Sequence, residues 1–250
     1  MNESSTPTSV TPVPSPAARR EFLGQLATIA AAFAVTACAN GGFGAGAAAP
    51  APAMPGDNEA MLPPLPPLEF DDTWASRIAG RYKAVFDSPA IDEGTGVFNA
   101  LIFMKGFKDM YKLSDSDVSA VLVMRHRAIP MAVDDTIWAR YALGEYSKVK
   151  DSGTGKWATR NPFWKAAPGD TTEDADYTLD ALNQRGGVLL GCAMATHGLA
   201  SILAKRTQQK DNVVFDELRR HLIPGVQLAP SGIFAVMRAQ DAGCHYMRST

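Results

Sequence analysis

The chain has 250 residues, 46% hydrophobic and 20% charged, a profile that excludes a disordered protein and suits a packed one. Its formal net charge is −2, and its first 39 residues hold two arginines (Arg19, Arg20) and two glutamates (Glu3, Glu21), so the remainder is equally balanced. With no basic excess and no Lys/Arg-rich stripe, nucleic acid and anionic lipid are excluded as charge-driven partners.

Residues 1–39 read as an address. Arg19-Arg20 precede Glu21, Phe22 and Leu23, then an uncharged, Ala-rich stretch to Ala37 that is too short and too weakly apolar for a comfortable membrane span. The pair resembles a twin-arginine export signal, the alternative being an ordinary secretory signal with two arginines in its basic region. Val35–Cys38 looks like a lipoprotein box that would acylate Cys38, while Ala37–Ala39 also fits a signal-peptidase site. The expectation is an exported protein, periplasmic or held at the membrane only through a lipid on Cys38. Residues 40–68 are Gly-, Ala- and Pro-rich and bury too little surface to fold, so they read as a tether.

From residue 69 onward the composition is that of one packed domain. Arg81–Pro89 is a short apolar run closed by turn residues, a first strand. Val97, Leu101, Met104, Phe107 and Tyr111 then recur at helical spacing. Val118–Met124 is continuously apolar, as a strand covered on both faces should be. Asp134 and Asp135 are placed to cap a helix carrying Ile137, Trp138 and Tyr141, with Gly144 at its end. Residues 146–176, with Trp157 and Trp164, read as an inserted loop.

A helix over 178–184 leads through Gly186-Gly187 into a strand ending at Cys192, and a further helix runs to about Arg206. The next helix starts at Asp211 or Asn212, either of which would cap it. Val226–Ala229 is a strand, Ser231 caps another helix, Gly243 stops it, and Cys244–Met247 makes a last strand read as core, with Tyr246 packed inside. Strands alternating with helices predict a three-layer α/β fold, a mainly parallel sheet with helices on both faces. Ligands of such sheets sit beyond the carboxyl ends of the strands.

That rule points to Cys192. A cysteine at a strand end and helix start sits among unpaired backbone N–H groups and the positive end of the helix dipole, which favour a thiolate nucleophile or sulfur carrier. The alternative is a small buried hydrophobe, which free cysteines often are. Arg125, His126 and Arg127 follow the second strand and would lie at the same sheet edge. One of them would supply positive charge to a thiolate or hold an anionic ligand, unless all three are solvated loop residues. His197 stands five residues past Cys192, about 140° around a helix, so the two do not converge. No CxxC, HExxH, G-x-G-x-x-G, P-loop or G-x-S-x-G pattern occurs, so no metal and no cofactor is expected. Cys192 ends a strand and Cys244 starts one on another part of the sheet, so no disulfide between them is expected.

The strand ending at Cys192 with Ala193-Met194-Ala195 after it, and residues 224–247 with Pro230-Ser231, Gln240 and Gly243-x-x-Tyr246, resemble the DsrE-like family, which includes sulfur-relay proteins. Val118–His126 fits that family's second strand and following loop. The resemblance implies a flavodoxin-like α/β domain, often a homo-oligomer, in which some members carry persulfide sulfur at the place of Cys192. It covers most of residues 81–250. The chain departs from the sulfur-relay members in its export signal and its long 146–176 loop. Two functions follow as expectations: handling sulfane sulfur or a small thiol-reactive ligand through Cys192, or serving as a non-catalytic periplasmic binding or assembly module for a small ligand or protein partner.

Overall fold

A computed structural model describes residues 63–167, 169 and 173–250. The segment expected to be an export signal, Cys38 and the expected tether up to residue 62 lie outside the described residues. Five strands, β1 (Tyr82–Ser88), β2 (Val118–Met124), β3 (Val188–Cys192), β4 (Val226–Ala229) and β5 (His245–Arg248), form one sheet in the order β4-β3-β2-β1-β5. Every neighbouring pair is parallel. Each of the seven residues of β2 and the five of β3 is buried, as continuous apolar runs in the middle of a covered sheet require.

The period of two along the strands assigns the faces. Phe86, Leu122 and Leu189 point to one side and pack with helices α1 (Thr95–Tyr111) and α4 (Leu179–Gln184). Their neighbours Val85, Val121, Val123 and Leu190 point to the other side, under helix α7 (Gly232–Asp241). Helices α2 (Asp135–Arg140), α3 (Leu143–Ser147), α5 (Ala193–Thr207) and α6 (Asp211–Arg220) build a second cluster, which shares Val149, Phe163 and Leu222 with the α1 side. The chain steps from β1 to β4 in one direction and then turns back to place β5 on the far side of β1. Right-handed crossovers put the helices of the outward run on one face and the return helix α7 on the other. The result is a three-layer α/β fold.

Three local expectations are corrected by packing. Gly144 lies inside α3 and does not end a helix. Ala142, at φ 49°, breaks the chain between α2 and α3. A Cβ on Gly144 would lie 2.2 Å from the Ala158 carbonyl oxygen, so glycine is needed there for close approach. Lys210, not Asp211 or Asn212, is the N-cap residue of α6 and makes no side-chain cap, since its ammonium has no acceptor atom; the Asp211 carboxylate accepts a hydrogen bond from Ser201 Oγ of α5. The described part of the 146–176 loop is anchored to the body. The buried Asn161 donates to the carbonyls of Met131 and Val133 at 2.8 Å each, and its own N–H donates to Asp135 Oδ1.

The third correction concerns β5, read as core. All four of its residues are exposed, with Tyr246 at 48% and Met247 at 45%. A strand at the sheet edge has one neighbour, and among the described strands β5 pairs with β1 alone. Cys244, immediately before it, is buried, and burial pushes its thiol up to about 11. Both Cys192 and Cys244 are free thiols.

Residues 63–78 form an arm around the β4 edge. Leu65 N–H donates to Asp216 Oδ2 of α6 at 3.0 Å, Arg219 donates to the Pro66 carbonyl at 3.0 Å, and Arg220 donates to the carbonyl of Pro63. Farther along, Gln227 of β4 donates to Asp71 and Arg238 of α7 to Asp72. Trp74, Ala75 and Ile78 then bury against the α7 face. The last six residues read as tether, 63–68, are thus bonded to the domain. No helix among the described residues is long and apolar enough to cross a membrane.

Candidate functional site

The strand order places a topological switch between β1 and β5, and the crevice there opens at the carboxyl ends of the strands. Asp87, next to last in β1, sits at that point with only 4% of its surface exposed. A buried carboxylate needs partners, and two side chains supply them while the strand end is tied through the backbone. Arg125, directly after β2, binds it through two nitrogens, Nε to Oδ1 at 2.6 Å and Nη2 to Oδ2 at 2.9 Å. Tyr246 of β5 donates its hydroxyl to Oδ2 at 2.9 Å. Ser249 N–H donates to the Asp87 carbonyl at 2.9 Å. The two-point pairing is the strong form of the Arg–carboxylate contact. It raises the Arg125 guanidinium further above its ordinary range, with partial desolvation opposing. The Tyr246 hydroxyl is also raised, by desolvation and by its bond to Asp87.

Gly232, the first residue of α7, makes room for this pair. A Cβ there would come within 2.5 Å of the Arg125 stem. Ser231 caps the same helix, accepting from Phe234 N–H at 3.1 Å. The start of α7 is therefore pressed directly onto Arg125.

Cys192 ends β3 and is the N-cap residue of α5. Its Sγ accepts from Ala195 N–H at 3.3 Å, while Thr196 Oγ1 donates to its carbonyl at 2.9 Å. The sulfur takes the place that a Ser or Asp oxygen fills in an ordinary cap. Cys192 is 6% exposed, and it follows Gly191, the register partner of Met124, so it ends β3 beside the position of Arg125. The corner thus joins a capping thiol, an arginine already bound to a carboxylate, and two helix N-termini.

The other residues expected at this edge are placed differently. His126 is exposed and held at φ 51°, a left-handed conformation uncommon outside glycine. Arg127 is exposed, its N–H donating to the Pro89 carbonyl. Arg125 is the one of the three brought into the buried cluster, and its charge is matched by Asp87. Asp134 does cap α2, accepting from Ile137 N–H at 3.2 Å, and also pairs with His221 Nδ1 at 2.9 Å. The His197 ring stacks on Phe215 with centroids 3.5 Å apart. Among the described residues no three His, Cys, Asp or Glu side chains gather as a metal-ligand set.

Sequence reasoning missed Asp87, Gly232 and the polar role of Tyr246. Asp87 carried one legible signal, a carboxylate closing an otherwise apolar strand. Beside the corner, the arm, Met194, His197, Phe215 and Pro230 border an open groove of about 640 Å³. Met194, in the first turn of α5, is 70% exposed at its rim.

No family model and no curated protein matches the chain. Among solved structures, the chain is similar to the protein of unknown function MTH1491 from Methanobacterium thermoautotrophicum, at 15% identity. That match covers 67% of this chain and 98% of the other, with a TM-score of 0.32.

Proposed function

We propose that the protein is an exported, DsrE-like sulfur handler in which Cys192 accepts and passes on sulfane sulfur or another small thiol-reactive ligand. The observation that carries the reading is the position of Sγ, capping α5 at the carboxyl edge of the sheet next to the β2 end that carries Arg125. The thiolate is the attacking form, and helix-terminus N–H groups stabilise it and its products. The step balances without an external oxidant. The Cys192 thiolate attacks the outer sulfur of a persulfide R–S–SH, the S–S bond breaks, R–S⁻ leaves, and Cys192 carries the persulfide. The Asp87–Arg125–Tyr246 cluster holds the corner rigid, and Arg125 offers its remaining donor capacity to an anionic donor or product. Twin-arginine export and a lipid on Cys38 belong to the same proposal.

The test is the mass of Cys192 after the full chain meets glutathione persulfide, with Cys244→Ser as background and Cys192→Ser as control. One added sulfur on Cys192 is expected. Absence of that mass, with Cys192 reaching iodoacetamide only after unfolding, sinks the reading.

The low exposure of Cys192 and the bare apolar side chains of Met194 and Ile233, each 70% exposed, favour a second reading as a binding or assembly module. In that case Cys192→Ala leaves partner binding intact.

A further inference from the structure

The β5 edge carries a separate feature that the thiol does not use. All four β5 residues are exposed and, among the described strands, β5 pairs only with β1, so its outer row of N–H and C=O groups faces outward. Along this edge runs a groove of about 250 Å³. Phe103, Phe107 and Met247 give it an apolar floor, with Phe103 and Phe107 edge to face at 5.1 Å and Tyr82 against Phe107 at 4.2 Å. Arg81, Lys83 and His245 also line it, and no carboxylate does among the described residues. The other edge, β4, is closed by the chain's own arm.

We infer that the β5 edge is a docking strand for an extended, acidic segment of a partner protein, which adds to the sheet as a sixth strand. Strand addition supplies main-chain hydrogen bonds, and alternate side chains of the guest enter the apolar groove. The charge lining the groove selects the guest. A carboxylate-bearing strand meets Arg81, Lys83 and His245, whereas two copies of this edge brought together would set cation against cation. A second copy of this chain is therefore the disfavoured occupant.

The probe is a pool of acetylated hexapeptides with Glu at the first, third and fifth positions and Val, Ile, Phe or Tyr between, set against the same pool with Lys for Glu. Each is titrated into isotope-labelled full chain at low salt while backbone amide shifts are followed. Shifts confined to β5 and α1, with the Glu pool at least about tenfold tighter and weakening with salt, are expected. The double variant Arg81→Glu/His245→Glu alters two exposed side chains, leaves the fold in place, and is expected to reverse the preference between pools. Equal response to both pools, shifts elsewhere, or no shift at β5 overturns the inference. So does light scattering that reports a dimer whose β5 amides are protected before any peptide is added, since a second copy would then occupy the edge.

Discussion

At the β4 edge, residues 63–78 cross the sheet border, bond to α6, β4 and α7, and drive Trp74 to 1% exposure. At the β5 edge nothing in the described chain covers the strand, and what fastens it is the ladder to β1, the Tyr246–Asp87 hydrogen bond and Ser249 on the Asp87 carbonyl. One edge is closed by buried apolar surface, the other is tied by polar contacts and left open. Burial closes an edge permanently, while a polar tie keeps the strand in place and its outer groups available. The β5 edge thus keeps its shape without being sealed.

The largest effect is expected where apolar burial does the closing. Trp74→Ala should cost about 3–5 kcal/mol, the usual range for emptying a buried tryptophan site, measured by urea denaturation of the full chain. The indole N–H of Trp74 has no partner among the described residues, so Trp74→Phe should cost much less. If the two variants lose the same stability, the arm is not closing the edge through packing.

A middle effect is expected at the tie. Asp87→Ala removes the acceptor of both Arg125 and Tyr246 and should cost about 2–3 kcal/mol, the range for hydrogen bonds to a charged group. The partial exposure of Arg125 lets water take up part of the loss, which keeps the figure below that of a fully buried pair. Hydrogen exchange at His245–Arg248 should accelerate in the same variant. Unchanged exchange there would break the link between the corner and the β5 edge.

The smallest effect belongs to the bare surface itself. Met247→Ser, at a half-exposed position, should change stability by no more than about 0.5 kcal/mol in the same denaturation assay. A larger loss would mean that this edge is covered in the folded protein, contrary to the comparison.

Much of the site was legible one strand at a time. Cys192 at the strand-to-helix junction follows from an apolar run stopped by a helical one, and the cap at Ser231 follows from a hydroxyl before apolar helical residues. Asp87 and Tyr246 were not legible as a pair, because 159 residues separate them and no local pattern reports which strand will lie beside β1. Tyr246 was misread for the same reason. A short apolar strand looks alike in a sequence whether it fills the middle of a sheet or its border.

By itself the sequence determined the alternation of strands and helices, the apolar continuity of β2 and β3, and the helix start that receives the Cys192 sulfur. These depend on periodicity and capping, which act within a few residues. Only the tertiary structure decided that the chain reverses after β4, that β5 lands beside β1 as an exposed edge, and that Arg125 is already held by Asp87. Those outcomes depend on which surfaces meet across long stretches of chain, and strand order, unlike strand existence, is settled by packing between distant residues.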